Sequence, residues 1–115
     1  MNKPKLFLLK PDFMDGEEGP FYCPHSLPVE GLLGFYPQLR EILEVGYLDF
    51  PRPRPAIIAE IGEANQSMPV LILASDNPAE VEGVEIHQAN GKHFIDDQEH
   101  IRAYLEVTNG LGRPH

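Results

Sequence analysis

Apolar residues in this chain fall into short blocks separated by proline, glycine and acidic positions, and the spacing within the blocks changes along the sequence. Leu6, Phe7, Leu8 and Leu9 run without interruption, which predicts a strand over residues 5–10 covered on both faces, as in parallel sheets. Residues 11–22 read as a long acidic loop with turn signals at Asp15-Gly16 and Gly19-Pro20. A helix is predicted after Cys23, with Pro24 and Pro28 tolerable only in its first turn. Leu27, Leu32, Leu33 and Tyr36 give that helix its apolar face, and Gly31 and Gly34 suit close packing on a sheet. Residues 37–42 add a further helical turn.

A second strand is predicted over residues 43–50, where Leu43, Val45, Tyr47 and Asp49 alternate with Gly46, Leu48 and Phe50. The run Pro51-Arg52-Pro53-Arg54-Pro55 must be extended, because each proline keeps its predecessor out of the helical region. Arg52 and Arg54 are then expected as solvated residues on a stiff linker, the alternative being that they anchor a carboxylate of a ligand or an acidic group of a partner. Pro55 opens a short helix over residues 56–64 with Ile57, Ile58 and Ile61 on one face. Residues 70–74 form a third buried strand, 75–83 a loop and 84–87 a fourth strand; Asn90-Gly91 is a two-residue hairpin turn. The last helix starts near Asp96-Asp97, where Asp96 and Glu99 have capping-box spacing and Asp97 reads most simply as the N-cap, and it presents Ile101, Tyr104 and Leu105 to the core. The order strand, helix, strand, helix, strand, strand, helix predicts one α/β domain over residues 1–115, with a four-stranded mixed sheet and helices on both faces.

Charge narrows the partners. A formal net charge of −9 argues against nucleic acid and against an anionic membrane surface. No apolar run has the length of a membrane span, and the N-terminal one is too short for a signal peptide. A single cysteine cannot build a disulfide framework, so a cytoplasmic location is expected.

That cysteine carries the chemistry. Cys23 opens Cys23-Pro24-His25-Ser26, between a strand and a helix. Unpaired N–H groups at a helix start favour an anion, and the thiolate is the nucleophilic form of cysteine. Ser26 stands where a second thiol would close an intramolecular disulfide, so any redox role must borrow an external thiol. His25 is placed to donate to the thiolate or to titrate near neutral pH. The other histidines, among them His87, His93 and His100, form no ligand pattern, and no metal site is expected.

The ordered trio Cys23-Pro24-His25-Ser26, Met68-Pro69-Val70 and Phe94-Ile95-Asp96-Asp97-Gln98, leading into Ile101 and Tyr104-Leu105, resembles the thioredoxin superfamily. Within it the chain is most similar to glutaredoxins, to the N-terminal domain of glutathione transferases and to a bacterial thioredoxin-like family of unassigned function. The resemblance implies a thioredoxin-like fold with Cys23 exposed at the helix N-terminus and Pro69 in the cis form. It implies that the Met68 backbone pairs with a peptide-like ligand lying across the thiol. It also places Asp97-Gln98 where transferases hold the γ-glutamyl end of glutathione, with Asp97 accepting from the amino group and helix N–H groups binding the carboxylate. The chain departs from these families in several places. Pro20, Phe21 and Tyr22 precede the cysteine where glutaredoxins carry a lysine. Ile95-Asp96 replaces their Gly-Gly, Pro24 crowds an iron–sulfur cluster, and the helical domain of transferases is missing from this sequence.

Two functions follow as expectations. One is a monothiol, glutathione-dependent thiol–disulfide oxidoreductase acting through Cys23, with Met68, Pro69, Asp97 and Gln98 binding substrate. It needs no cofactor, and its partners are glutathione as co-substrate or a protein disulfide. The other is a non-catalytic module of the same fold that serves protein binding or homodimerisation.

Overall fold

The computed structural model describes residues 2–115. In chain order the elements are β1 (Lys5–Leu9), β2 (Phe13–Asp15), β3 (Glu18–Phe21), α1 (Ser26–Phe35), α2 (Leu39–Ile42), β4 (Glu44–Leu48), α3 (Pro55–Ile61), β5 (Val70–Ile72), β6 (His87–Ala89), β7 (Lys92–Ile95) and α4 (Gln98–Asn109). The main sheet has five strands in the order β4-β1-β5-β7-β6. β1 and β4 are parallel, in register from Lys5 opposite Glu44 to Leu9 opposite Leu48. The other pairings are antiparallel, with Phe7 opposite Val70 and Leu71 opposite Ile95.

The uninterrupted apolar run in β1 exists because the sheet is covered on both faces. Leu6 and Leu8 point into the larger core, with Val29, Leu32 and Leu33 of α1 and Ile101 and Leu105 of α4. Phe7 packs from the other side, against the cluster of Ile57 and Ile61 from α3 with Val70, Ile72 and Phe94. β5 is buried at every position, as expected of a central strand. Gly46 on β4 makes room for Phe7, because a Cβ there would lie 3.1 Å from the phenylalanine ring. α4 stops at Gly110, whose φ of 64° suits a left-handed helix cap.

The α/β architecture agrees with the expectation, and the strand count does not. The main sheet has five strands rather than four. The expected loop at residues 11–22 holds the β2–β3 hairpin, which forms a separate two-stranded sheet. Its side chains are almost all exposed, so burial alternation gave no strand signal. The fourth strand expected at residues 84–87 lies instead at His87–Ala89, on the sheet edge. Val84 and Ile86 pack against the larger core from an irregular segment. The strand that pairs with β5 is Lys92–Ile95, whose polar first half hid it.

The predicted face of α1 is also corrected. Leu27 is exposed, and Val29 takes its place in the core. Gly31 and Gly34 are exposed with open space around them, so they make no close approach to the sheet. Asp97 is the N-cap of α4, as its place at the helix start led one to expect, and one of its carboxylate oxygens accepts from the N–H groups of Glu99 and His100; the Asp96 capping-box alternative is not the one used.

Candidate functional site

The carboxyl ends of β1 and β4 lie side by side because the two strands are parallel, and the chain leaves each of them into a segment that bears chemistry. From β1 it passes through the β2–β3 hairpin to Cys23 and α1; from β4 it passes through the proline run to Arg54 and α3. Met68 and Pro69 enter β5 at the same end, because Val70 pairs antiparallel with Phe7. Asp97 and Gln98 follow β7 there too, since Ile95 is opposite Leu71. The topology therefore gathers Cys23, Met68-Pro69 and Asp97-Gln98 along one edge of the sheet.

Cys23 is half-buried and free. Its Sγ accepts the Ser26 N–H at 3.4 Å and its carbonyl accepts the Leu27 N–H at 3.1 Å, so the thiol sits against the first turn of α1. Ser26 is buried, and its Oγ accepts the Leu9 N–H at 3.2 Å, tying the helix start to the end of β1. His25 occupies the N-cap position with helical backbone angles, makes no side-chain cap and is exposed. Pro69 is buried behind a cis Met68-Pro69 bond, while Met68 is half-buried against the smaller core. Asp97 is engaged as the α4 cap, which occupies the Glu99 and His100 N–H groups. Gln98 Oε1 accepts from Arg102 Nε at 2.9 Å.

The expectation that the structure corrects is that for Arg54. It is 8% exposed rather than solvated. Its Nη1 donates to the Gln66 carbonyl at 2.7 Å and its Nη2 to the Phe50 carbonyl at 2.5 Å, while its backbone N–H donates to Gln66 Oε1 at 2.7 Å. The guanidinium lies 6.0 Å from the centroid of the Phe50 ring, and its buried Nε has no acceptor. Burial pulls the Arg54 pKa below its ordinary value, with help from the Arg52 charge, and the Cys23 thiolate acts to raise it. In sequence, an arginine between prolines reads as a linker residue. Its acceptors are mainly backbone carbonyls, which leave no trace in side-chain patterning.

Aromatic residues join the two segments. Phe50 stacks on Phe13 with ring centroids 4.5 Å apart and planes at 11°, and Phe13 meets Phe21 at 5.8 Å. The acidic hairpin is thus packed onto the segment that carries Arg54. A cavity of about 350 Å³ lies beside it, lined by Leu48, Pro51, Pro53, Arg54 and Ala56 among others. A larger cavity of about 620 Å³ lies at the opposite end of β1, around Lys5, Glu60 and Lys92, away from the thiol. Among the described residues no group of three or more His, Cys, Asp or Glu is placed to hold a metal ion. No helix among them is long and apolar enough to cross a membrane.

The chain matches no curated protein and no solved structure. A family model described as "Protein of unknown function (DUF3088)" matches residues 3–113, nearly the whole chain. The chain belongs to that family.

Proposed function

We propose that this is a thioredoxin-like, glutaredoxin-like monothiol protein that exchanges thiols and disulfides through Cys23. The observation that carries the reading is the half-buried thiol whose sulfur accepts the Ser26 N–H at the start of α1. A backbone donor aimed at sulfur favours the anionic form, which is the nucleophile. The entry of Met68-Pro69 into β5 at the end of the sheet from which the chain leaves β1 toward Cys23 supports the same reading.

In the proposed step the Cys23 thiolate attacks one sulfur of glutathione disulfide or of a protein disulfide. A new S–S bond forms to Cys23, the original S–S bond breaks, and the departing thiolate takes a proton from water. A second thiol from solution then attacks the mixed disulfide and frees Cys23, because Ser26 offers no resolving sulfur. No cofactor is required; glutathione is the co-substrate, in a reducing compartment such as the cytoplasm. Asp97 and Gln98 are the candidate contacts for a γ-glutamyl group.

Intact mass after exposure to glutathione disulfide tests this directly. Wild-type protein gains one glutathione, which reduced glutathione then removes, and Cys23→Ser gains none. A wild-type protein that stays unmodified overturns the proposal.

A second reading, a non-catalytic module for protein binding or dimerisation, is favoured by α1 itself. Phe35 is 85% exposed on this helix and Leu27 is also exposed, an apolar display with no use in thiol exchange. That reading expects a Phe35→Ser change to shift the oligomeric state measured by light scattering, and Cys23→Ser to leave it unchanged.

A further inference from the structure

Arg54 is more than nine-tenths buried, and no anion of the chain meets it. The ion pairs among the described residues are Lys5–Glu60, Lys92–Glu60, Lys10–Asp49, Arg40–Glu30 and His87–Asp96, and Arg54 is in none of them. A guanidinium carries five N–H donors. Here one Nη1 and one Nη2 hydrogen go to the Gln66 and Phe50 carbonyls, and the buried Nε has no acceptor. Taking such a charge out of water is costly unless an opposite charge compensates it. The two carbonyls and the Phe50 ring nonetheless hold the group in one place. The same residue lines the cavity of about 350 Å³ beyond the end of β4, a volume within the range of small-molecule sites. A fixed cation without a counterion and an adjoining cavity point to the same missing component, an anion supplied from outside the chain.

We propose that this cavity binds a small monocarboxylate with an aliphatic body, its carboxylate paired with the Arg54 guanidinium. The lining sets the class of ligand. A planar guanidinium fork matches the two oxygens of a carboxylate, and the Nη hydrogens that the carbonyls leave free are the ones the ligand takes. Asp49 is the other charged residue of the wall; it is exposed and paired with Lys10 at 3.3 Å. Arg52 is exposed and outside the lining, so the wall offers one cation and one anion. A second negative charge on the ligand would meet Asp49 without gaining a partner, which selects a monoanion over a phosphate dianion. The remaining wall is Leu48, Ala56 and three prolines. Pro51, Pro53 and Pro55 have no backbone N–H to offer the carbonyls of a peptide, so the body that fits beside them is hydrocarbon. Cys23 takes no part in this site, and the proposal stands or falls separately from the thiol-exchange reading.

The test is titration of isotope-labelled protein with sodium hexanoate, read from the amide NMR signals of Leu48 and Asp49, with hexanamide as the neutral comparison. Hexanoate shifts these signals saturably and binds at least about tenfold more tightly than hexanamide, because only the acid makes a charge-assisted pair. Arg54→Gln, checked for folding by circular dichroism, loses the preference for the acid. Ala56→Leu narrows the cavity from an exposed position and weakens binding of both probes. Absence of a saturable hexanoate shift overturns the proposal, as does equal binding of acid and amide or an unchanged preference in folded Arg54→Gln. Tighter binding of inorganic phosphate, or of acetyl-alanyl-leucine with its free carboxyl terminus, overturns the small-acid assignment in favour of a phosphate or a peptide end. Should Arg54→Gln not fold, the comparison of hexanoate with hexanamide in wild type and Ala56→Leu decides alone: a wild-type preference for the acid, with weaker binding in the variant, upholds the site, and any other result overturns it.

Discussion

The two ends of β1 treat charge in opposite ways. At the amino end, Lys5 donates to Glu60 Oε2 at 2.9 Å and Lys92 donates to Glu60 Oε1 at 2.5 Å, so a carboxylate on α3 is clamped by cations from β1 and β7. Asn90 Nδ2 adds a bond to the Glu60 carbonyl at 3.2 Å. The charges there answer one another, and the cluster fastens a helix to the sheet. Toward the carboxyl end, the Arg54 guanidinium is buried against two backbone carbonyls and an aromatic ring, in no ion pair among the described residues. The contrast separates a cluster whose charges are paired within the chain from a buried cation held by neutral groups.

The largest expected effect lies at the carboxyl end and is all or none. Cys23→Ser loses every glutathione adduct by mass spectrometry while its melting temperature at pH 6 stays close to that of wild type. Next comes Ser26→Ala, which strands the Leu9 N–H and lowers unfolding free energy by about 1–3 kcal/mol in denaturant titration. Smaller again is Asp97→Ala, which removes the α4 cap at a cost of about 1 kcal/mol, most of it recovered by Asp97→Asn. If Asp97 also contacts glutathione, Asp97→Asn weakens adduct formation despite keeping the cap.

The smallest effect belongs to the amino end. Both lysines keep part of their side chains in water, so Glu60→Gln lowers unfolding free energy at pH 7 by less than about 1 kcal/mol. Its pH dependence tells more than its size. Hydrogen bonds from Lys92 and Lys5 hold the Glu60 carboxyl below its ordinary value of 4.5. Its contribution is therefore complete above that value and is lost as pH falls through the lower, folded-state one. The gap between wild type and Glu60→Gln stays constant near neutrality and closes only in acid. A gap that closes above pH 5 breaks the contrast between the two ends.

How much of this was legible in the sequence varies with the physical source of each feature. Blocks such as Leu6, Phe7, Leu8, Leu9 and Val70, Leu71, Ile72 announce central strands because burial on both faces leaves no polar position. Asp97 was visible as an N-cap carboxylate at a helix start, whereas the capping-box spacing of Asp96 with Glu99 is not what caps the helix. The β2–β3 hairpin was not legible, because its strands are short and exposed and hold together through Phe13 and its distant partner Phe50. β7 was obscured by Lys92 and His93, one reaching Glu60 and the other half-buried. The burial of Arg54 was not legible, because its surroundings come from residues 50 and 66 and from backbone atoms. Cys23, Ser26, Met68 and Pro69 were singled out by short motifs, and the parallel pairing of β1 with β4 added Arg54 to the same edge.

The bond from the Leu9 N–H to Ser26 Oγ has a consequence for anyone wishing to re-engineer this protein. A two-thiol version would need sulfur at position 26, and sulfur accepts hydrogen bonds weakly. Fitting a second cysteine there would therefore loosen the stitch between the first strand and the helix that follows Cys23. Having a single thiol is thus built into the scaffold: here the hydroxyl is masonry, and swapping it for chemistry weakens the wall it holds.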